Sequence, residues 1–155
     1  GLGPGPDRWL TAEAQETIAR SELFFGYAPY LARLALRSDQ QAIASNNREE
    51  LDRARAALDA AASGKTVAMV SGGDPGVFAM AAAVCEAIDT DAAWPDVAIE
   101  VIPGITAMLA VAARLGAPLG NDFCAISLSD NLKPWPVIES RLRVTASGRP
   151  RIATG

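Results

Sequence analysis

Thr66-Val67-Ala68-Met69-Val70-Ser71-Gly72-Gly73-Asp74-Pro75-Gly76 is the stretch on which the fold turns. Its opening apolar run, 66–70, reads as a buried strand. The glycines that follow let backbone approach a ligand or another backbone closely, and Pro75 fixes its own φ. Pro75 also suits a first helical position, and residues 77–88 continue as an alanine-rich helix. Strand, glycine turn and helix together are one unit of a parallel crossover sheet. Working outward, Gly1-Leu2-Gly3-Pro4-Gly5 opens the chain, and Val101-Ile102-Pro103-Gly104-Ile105-Thr106-Ala107 follows later. In an open parallel sheet such turns gather at the carboxyl edge of the strands, where ligands bind.

The rest of the chain alternates in the same way. Residues 11–21 suit a helix capped by Thr11 or Asp7, 23–27 a short strand, 29–37 a helix, and 41–44 a short strand. Asn47 and Glu50 stand in capping-box relation at the head of another helix. Its apolar residues Leu51, Ala54, Leu58, Ala61 and Ala62 repeat at helical spacing, and Gly64 ends it. Residues 97–102 read as a strand, 106–115 as a helix stopped by Gly116 and Pro118, 123–128 as a strand and 135–143 as a helix. The fold class is therefore α/β. Gly1 already belongs to a post-strand turn, so a preceding strand is expected. Residues 145–151 read as a tail, and the whole as a piece of a longer protein.

Composition narrows the chemistry. The chain has 155 residues, half of them hydrophobic, which is about one domain. A net charge of −4 argues against a nucleic-acid surface. No apolar run approaches the roughly 20 residues that cross a bilayer, and the glycine turn at the start does not read as a signal peptide. A cytoplasmic setting is expected. Cys85 and Cys124 are isolated and read as buried thiols. With no histidine in the chain, serine and cysteine triads and imidazole metal sites are excluded. No metal is expected.

The glycine turns match neither common nucleotide motif. Pro6 stands where a dinucleotide fingerprint needs glycine, and no Gly-Lys-Ser/Thr completes a phosphate loop. Taken alone, Asp74 reads as a helix cap and Pro103-Gly104 as a plain strand-to-helix turn. Tyr27 and Tyr30 lie beyond a strand end, where packing competes with lining a pocket. Ser129 or Asp130 reads as a cap for the next helix. Trp135 reads as core or as a domain contact, and Glu49-Glu50 with Arg53-Arg55 as a solvated helical face.

The three glycine turns, in this order and spacing, resemble those of the tetrapyrrole methylase family. The resemblance covers nearly the whole chain. Phe25-Gly26-Tyr27-Ala28-Pro29-Tyr30-Leu31 and residues 120–130, with Pro134-Trp135 and the helix after them, resemble one branch of that family. That branch methylates precorrin-3B at C-17, with ring contraction, in cobalamin biosynthesis. The resemblance implies an S-adenosylmethionine-dependent methyltransferase. It implies a parallel-sheet, three-layer amino-terminal domain over 1–120 and the start of a second α/β domain over 121–155. It places donor contacts on Pro4, Gly72, Gly73, Asp74, Val77, Thr106 and Ala107, with Asp74 and Tyr27 as candidates to assist the chemistry. The implied partner is a precorrin small molecule, and the whole protein is expected to be a homodimer. Two features depart from the family pattern. Pro6-Asp7 reverses the usual order, and Asn121 replaces a common histidine. A different ring carbon, a substrate such as ribosomal RNA, and an inactive fragment stay open, the acidic balance counting against RNA.

Overall fold

The computed structural model describes residues 1–46, 49–120, 122–129 and 133–146. They fall into two compact units, Gly1–Pro118 and Leu119–Gly155. In the first, a short 3-10 turn over Asp7–Trp9 leads into α1 (Ala12–Arg20). Thr11 caps α1, its hydroxyl accepting the Ala14 N–H. The strands β1 (Leu23–Tyr27), β2 (Gln41–Ser45) and β3 (Val67–Val70) form one parallel sheet in the order β2-β1-β3. Phe24 pairs with Ala42 on one side and with Ala68 on the other. The connections are α2 (Ala28–Leu31) and α3 (Glu50–Ala62); α4 (Met80–Thr90) and α5 (Ala107–Leu115) follow β3.

Strand alternation sends successive side chains to opposite faces. Phe24, Ala68 and Val70 pack with Leu2 and Leu31 on one face, joined by Leu10 and Ile18. Met69 packs on the other face with Ala54 and Leu58 of α3, Met80, Ala83 and Ala87 of α4, and Trp94. The Trp94 indole N–H donates to the Asp59 carboxylate at 2.7 Å and ties the loop after α4 to α3. Helices on both faces of a parallel sheet are the expected α/β arrangement.

Several elements differ from the sequence reading. The helix expected over 29–37 is only the single turn α2. The helix expected from residue 77 begins at Met80. Asp74 does not cap it: the Asp74 carboxylate accepts the Gly76 N–H, an Asx-type turn, and Ser71 Oγ accepts the Met80 N–H. Residues 97–102 form no strand. No backbone ladder pairs 97–102 with β3, and a strand needs a paired backbone. The described part of 123–128 is likewise not paired. Asn47, expected as a cap, and Asp130 lie outside the described residues. Gly64 at φ 91° follows the end of α3, and Gly116 at φ 63° ends α5, both as expected from a residue that tolerates the left-handed region.

Both cysteines are exposed rather than buried. The inner stripe of α4 is Met80, Ala83 and Ala87, and Cys85 falls off that stripe. The second unit contains α6 (Trp135–Ala146), in which Ile138 is buried and Trp135 is exposed. Among the described residues, no helix is long and apolar enough to cross a membrane.

Candidate functional site

Each glycine turn lies just beyond, or packs against, the carboxyl end of β3. Leu2 donates its N–H to the Ser71 carbonyl, and Gly3 and Gly73 exchange a pair of backbone hydrogen bonds at 3.1 Å. Both residues have φ near 65°, at 64° and 65°. The first two turns are therefore stitched together through backbone that glycine holds without strain. The third turn is joined by Asp74. Its carboxylate accepts the Gly104 N–H at 2.9 Å through one oxygen and the Gly76 N–H at 2.8 Å through the other.

These turns enclose a hollow of about 400 Å³. Pro4, Tyr27, Gly72, Gly73, Asp74, Val77, Thr106 and Ala107 all line it. The sequence-predicted residues thus meet at one place. Thr106 precedes α5 with extended φ and ψ, and its hydroxyl makes no cap bond, so it stays available to the hollow. Tyr27 and Tyr30 meet edge to face, with centroids 5.6 Å apart. A Cβ on Gly72 would fall 2.8 Å from the Tyr30 ring, so the bare glycine is what lets the tyrosine close that wall. An apolar hollow beside 99–102 is lined by none of the predicted site residues.

Two arginines of the wall were not singled out as site residues by sequence reasoning. Arg33 donates to the carbonyls of Leu2, Gly3 and Gly5 at 2.7–2.9 Å, so one guanidinium gathers the first turn. Arg53 overturns its reading as part of a solvated face. It is only 5% exposed, donating to Ser45 Oγ, Met80 Sδ and the Asn46 carbonyl. It has no carboxylate partner among the described residues. Helical spacing from Ala54, Ala57 and Leu58 put it near the α3 core stripe, but charge argued the other way. Among the described residues there is no cluster of His, Cys, Asp and Glu that would hold a metal ion.

A parallel sheet whose glycine turns converge on one polar hollow defines a small-molecule-binding α/β domain. Residues 1–153 match the tetrapyrrole (corrin/porphyrin) methylases, and the chain belongs to that family. It is 65% identical over 147 residues to the precorrin-3B C(17)-methyltransferase of Sinorhizobium sp, covering 94% of this chain and 58% of that protein. It is 49% identical to the cobalamin biosynthesis protein CobIJ of Mycobacterium bovis, covering 95% of this chain and 28% of that protein. The crystal structure of the methyltransferase CobJ superposes with a TM-score of 0.90 at 52% identity, covering 96% of this chain and 62% of that one. The chain therefore spans a little over half the length of the relative it matches at 65% identity.

Proposed function

We propose that this chain forms part of an enzyme that methylates C-17 of precorrin-3B, with ring contraction, in cobalamin biosynthesis. Residues 1–120 are its amino-terminal methylase domain and 121–155 the start of a second α/β domain. The observation that carries the reading is the convergence of Pro4, Gly72, Asp74 and Thr106 on one hollow. The 65% identity to a protein named for that reaction supports the substrate.

The lining of the hollow, with its glycine backbone, the Thr106 hydroxyl and the start of α5, suits S-adenosylmethionine. When bound, that molecule supplies a methyl on a sulfonium, whose leaving group is a neutral thioether that needs no acid. The chain's task is then to position, which fits the absence of histidine. Gly72 brings backbone against the ligand without a side chain, while Pro4 and Val77 offer apolar contact. Thr106 offers a hydroxyl, Ala107 a small surface beside it, and the start of α5 a partial positive charge for a carboxylate. Gly73 binds indirectly, since its N–H and carbonyl are engaged with Gly3. Asp74 holds the second and third turns together through both carboxylate oxygens. Tyr27, which lines the hollow, is a candidate to move a proton during ring contraction. The homodimer rests on the family resemblance, and the cytoplasmic setting on the isolated cysteines and the absence of a signal-like or membrane-spanning run in this sequence.

Incubating the whole protein with precorrin-3B and S-adenosylmethionine should add one methyl mass to the ring, read by mass spectrometry. An unchanged mass with a folded protein would remove the substrate assignment.

A further inference from the structure

Phe78 lines the hollow together with Gly72, Gly73 and Thr106. Its φ is 52°, the one positive value outside glycine among the described residues. A residue with a bulky side chain rarely accepts that region. Burial does not compensate, because Phe78 is 66% exposed. A strained backbone that carries an exposed aromatic ring points to a contact still to be made. The neighbourhood is also charged in a particular way. Met80, two positions on, holds the Arg53 guanidinium, which is buried and has no carboxylate partner among the described residues.

We propose that Phe78 is a stacking platform for a flat conjugated face of a reactant. Two groups offer such a face, the adenine of the methyl donor and a conjugated segment of the tetrapyrrole. Arg53 also lines the hollow, beside the Glu50 and Asp74 carboxylates, and is a cation that a polycarboxylate such as the tetrapyrrole can pair with. This part rests on the function proposed above.

The test uses the whole protein with Phe78→Ala, Phe78→Gly and Phe78→Tyr. Calorimetry with S-adenosylhomocysteine gives the donor-site affinity, and steady-state kinetics give KM for precorrin-3B. Phe78→Ala should weaken one of these constants about tenfold, the size of a lost aromatic stack. Phe78→Tyr should match the wild type. Phe78→Gly should show the same loss with a Tm no lower than wild type, because glycine accepts φ of 52° freely. A change in the calorimetric constant assigns the adenine; a change confined to KM assigns the tetrapyrrole. If both constants stay unchanged in Phe78→Ala, the platform is overturned, whatever Tm does. If the wild type methylates no precorrin, the proposed function fails separately. The tetrapyrrole arm is then read as the calorimetric Kd for precorrin-3B, and the platform is overturned if neither this Kd nor the donor Kd changes in Phe78→Ala.

Discussion

At the scale of single residues, Asp74 is the clearest case of one side chain acting across turns. Both carboxylate oxygens accept backbone N–H groups, one from Gly76 and one from Gly104. Asp74→Ala should cost about 1–3 kcal/mol, the range for hydrogen bonds to a charged acceptor in partly buried surroundings. Asp74→Asn keeps one acceptor and should fall between, with turnover following stability in thermal unfolding and activity assays. A variant that unfolds like the wild type but has lost turnover would give Asp74 a direct chemical role instead. Arg33 invites a second comparison. Its planar fork reaches three carbonyls of the first turn, whereas a lysine is a point charge that cannot span them. Arg33→Lys should weaken S-adenosylmethionine binding about tenfold by calorimetry, a loss of roughly 1.4 kcal/mol. Equal affinity in the variant would leave Arg33 as a fold residue only. Neither role was legible in the sequence. Asp74 has the same signature as a helix cap, and Arg33 has partners some 30 positions away.

Elements and turns show how tightly the rim is built. A Cβ on Gly104 would collide with the Gly73 carbonyl oxygen and press on Gly1, all of it backbone that cannot rotate away. Gly104→Ala should therefore lose about 1–3 kcal/mol as an overpacked site and lose donor binding with it. Gly72→Ala meets the Tyr30 ring instead, a side chain free to turn. Its Tm should change less, and comparing the two melting curves checks the difference. Between α2 and β2, Arg37 donates to the Asp39 carboxylate at 3.0 Å. This hydrogen bond, with the nearby positive charge, holds the Asp39 carboxyl below its ordinary value. A carboxyl depressed on folding stabilises the native state above its unfolded pKa, about 4, and loses that contribution as pH falls through the folded value. NMR titration should place Asp39 below its value in Arg37→Gln, and identical titration curves would refute the pairing.

Across the first unit as a whole, the hollow is assembled from turns more than 100 residues apart in the chain, Gly3 and Ala107 being the extremes. Calorimetry of the whole protein with S-adenosylmethionine should show saturable heat that Gly104→Ala abolishes. Heat unaffected by that substitution would place the donor elsewhere. Much of the architecture was readable before any coordinates. An apolar run, a glycine turn and a helix are local patterns, so β1, β3, α3 and α5 sit within a residue or two of their expected places. The failures lie where local pattern is not enough. Residues 97–102 are apolar enough for a strand but have no paired backbone among the described residues. Residues 77–79 are expected to begin a helix but stay in the turn that the Asp74 carboxylate shapes, the helix starting at Met80. The sequence by itself determined the alternation of strand and helix and the residues that line the rim. Backbone preferences and glycine's freedom act within a few positions, and a parallel sheet then carries its turns to one edge. Only the tertiary structure decided that Arg53 is buried, that Arg33 gathers the first turn and that Phe78 stands exposed on a strained backbone. Those outcomes depend on which distant groups arrive beside them, and that is written in contacts between elements rather than in the order of residues within one.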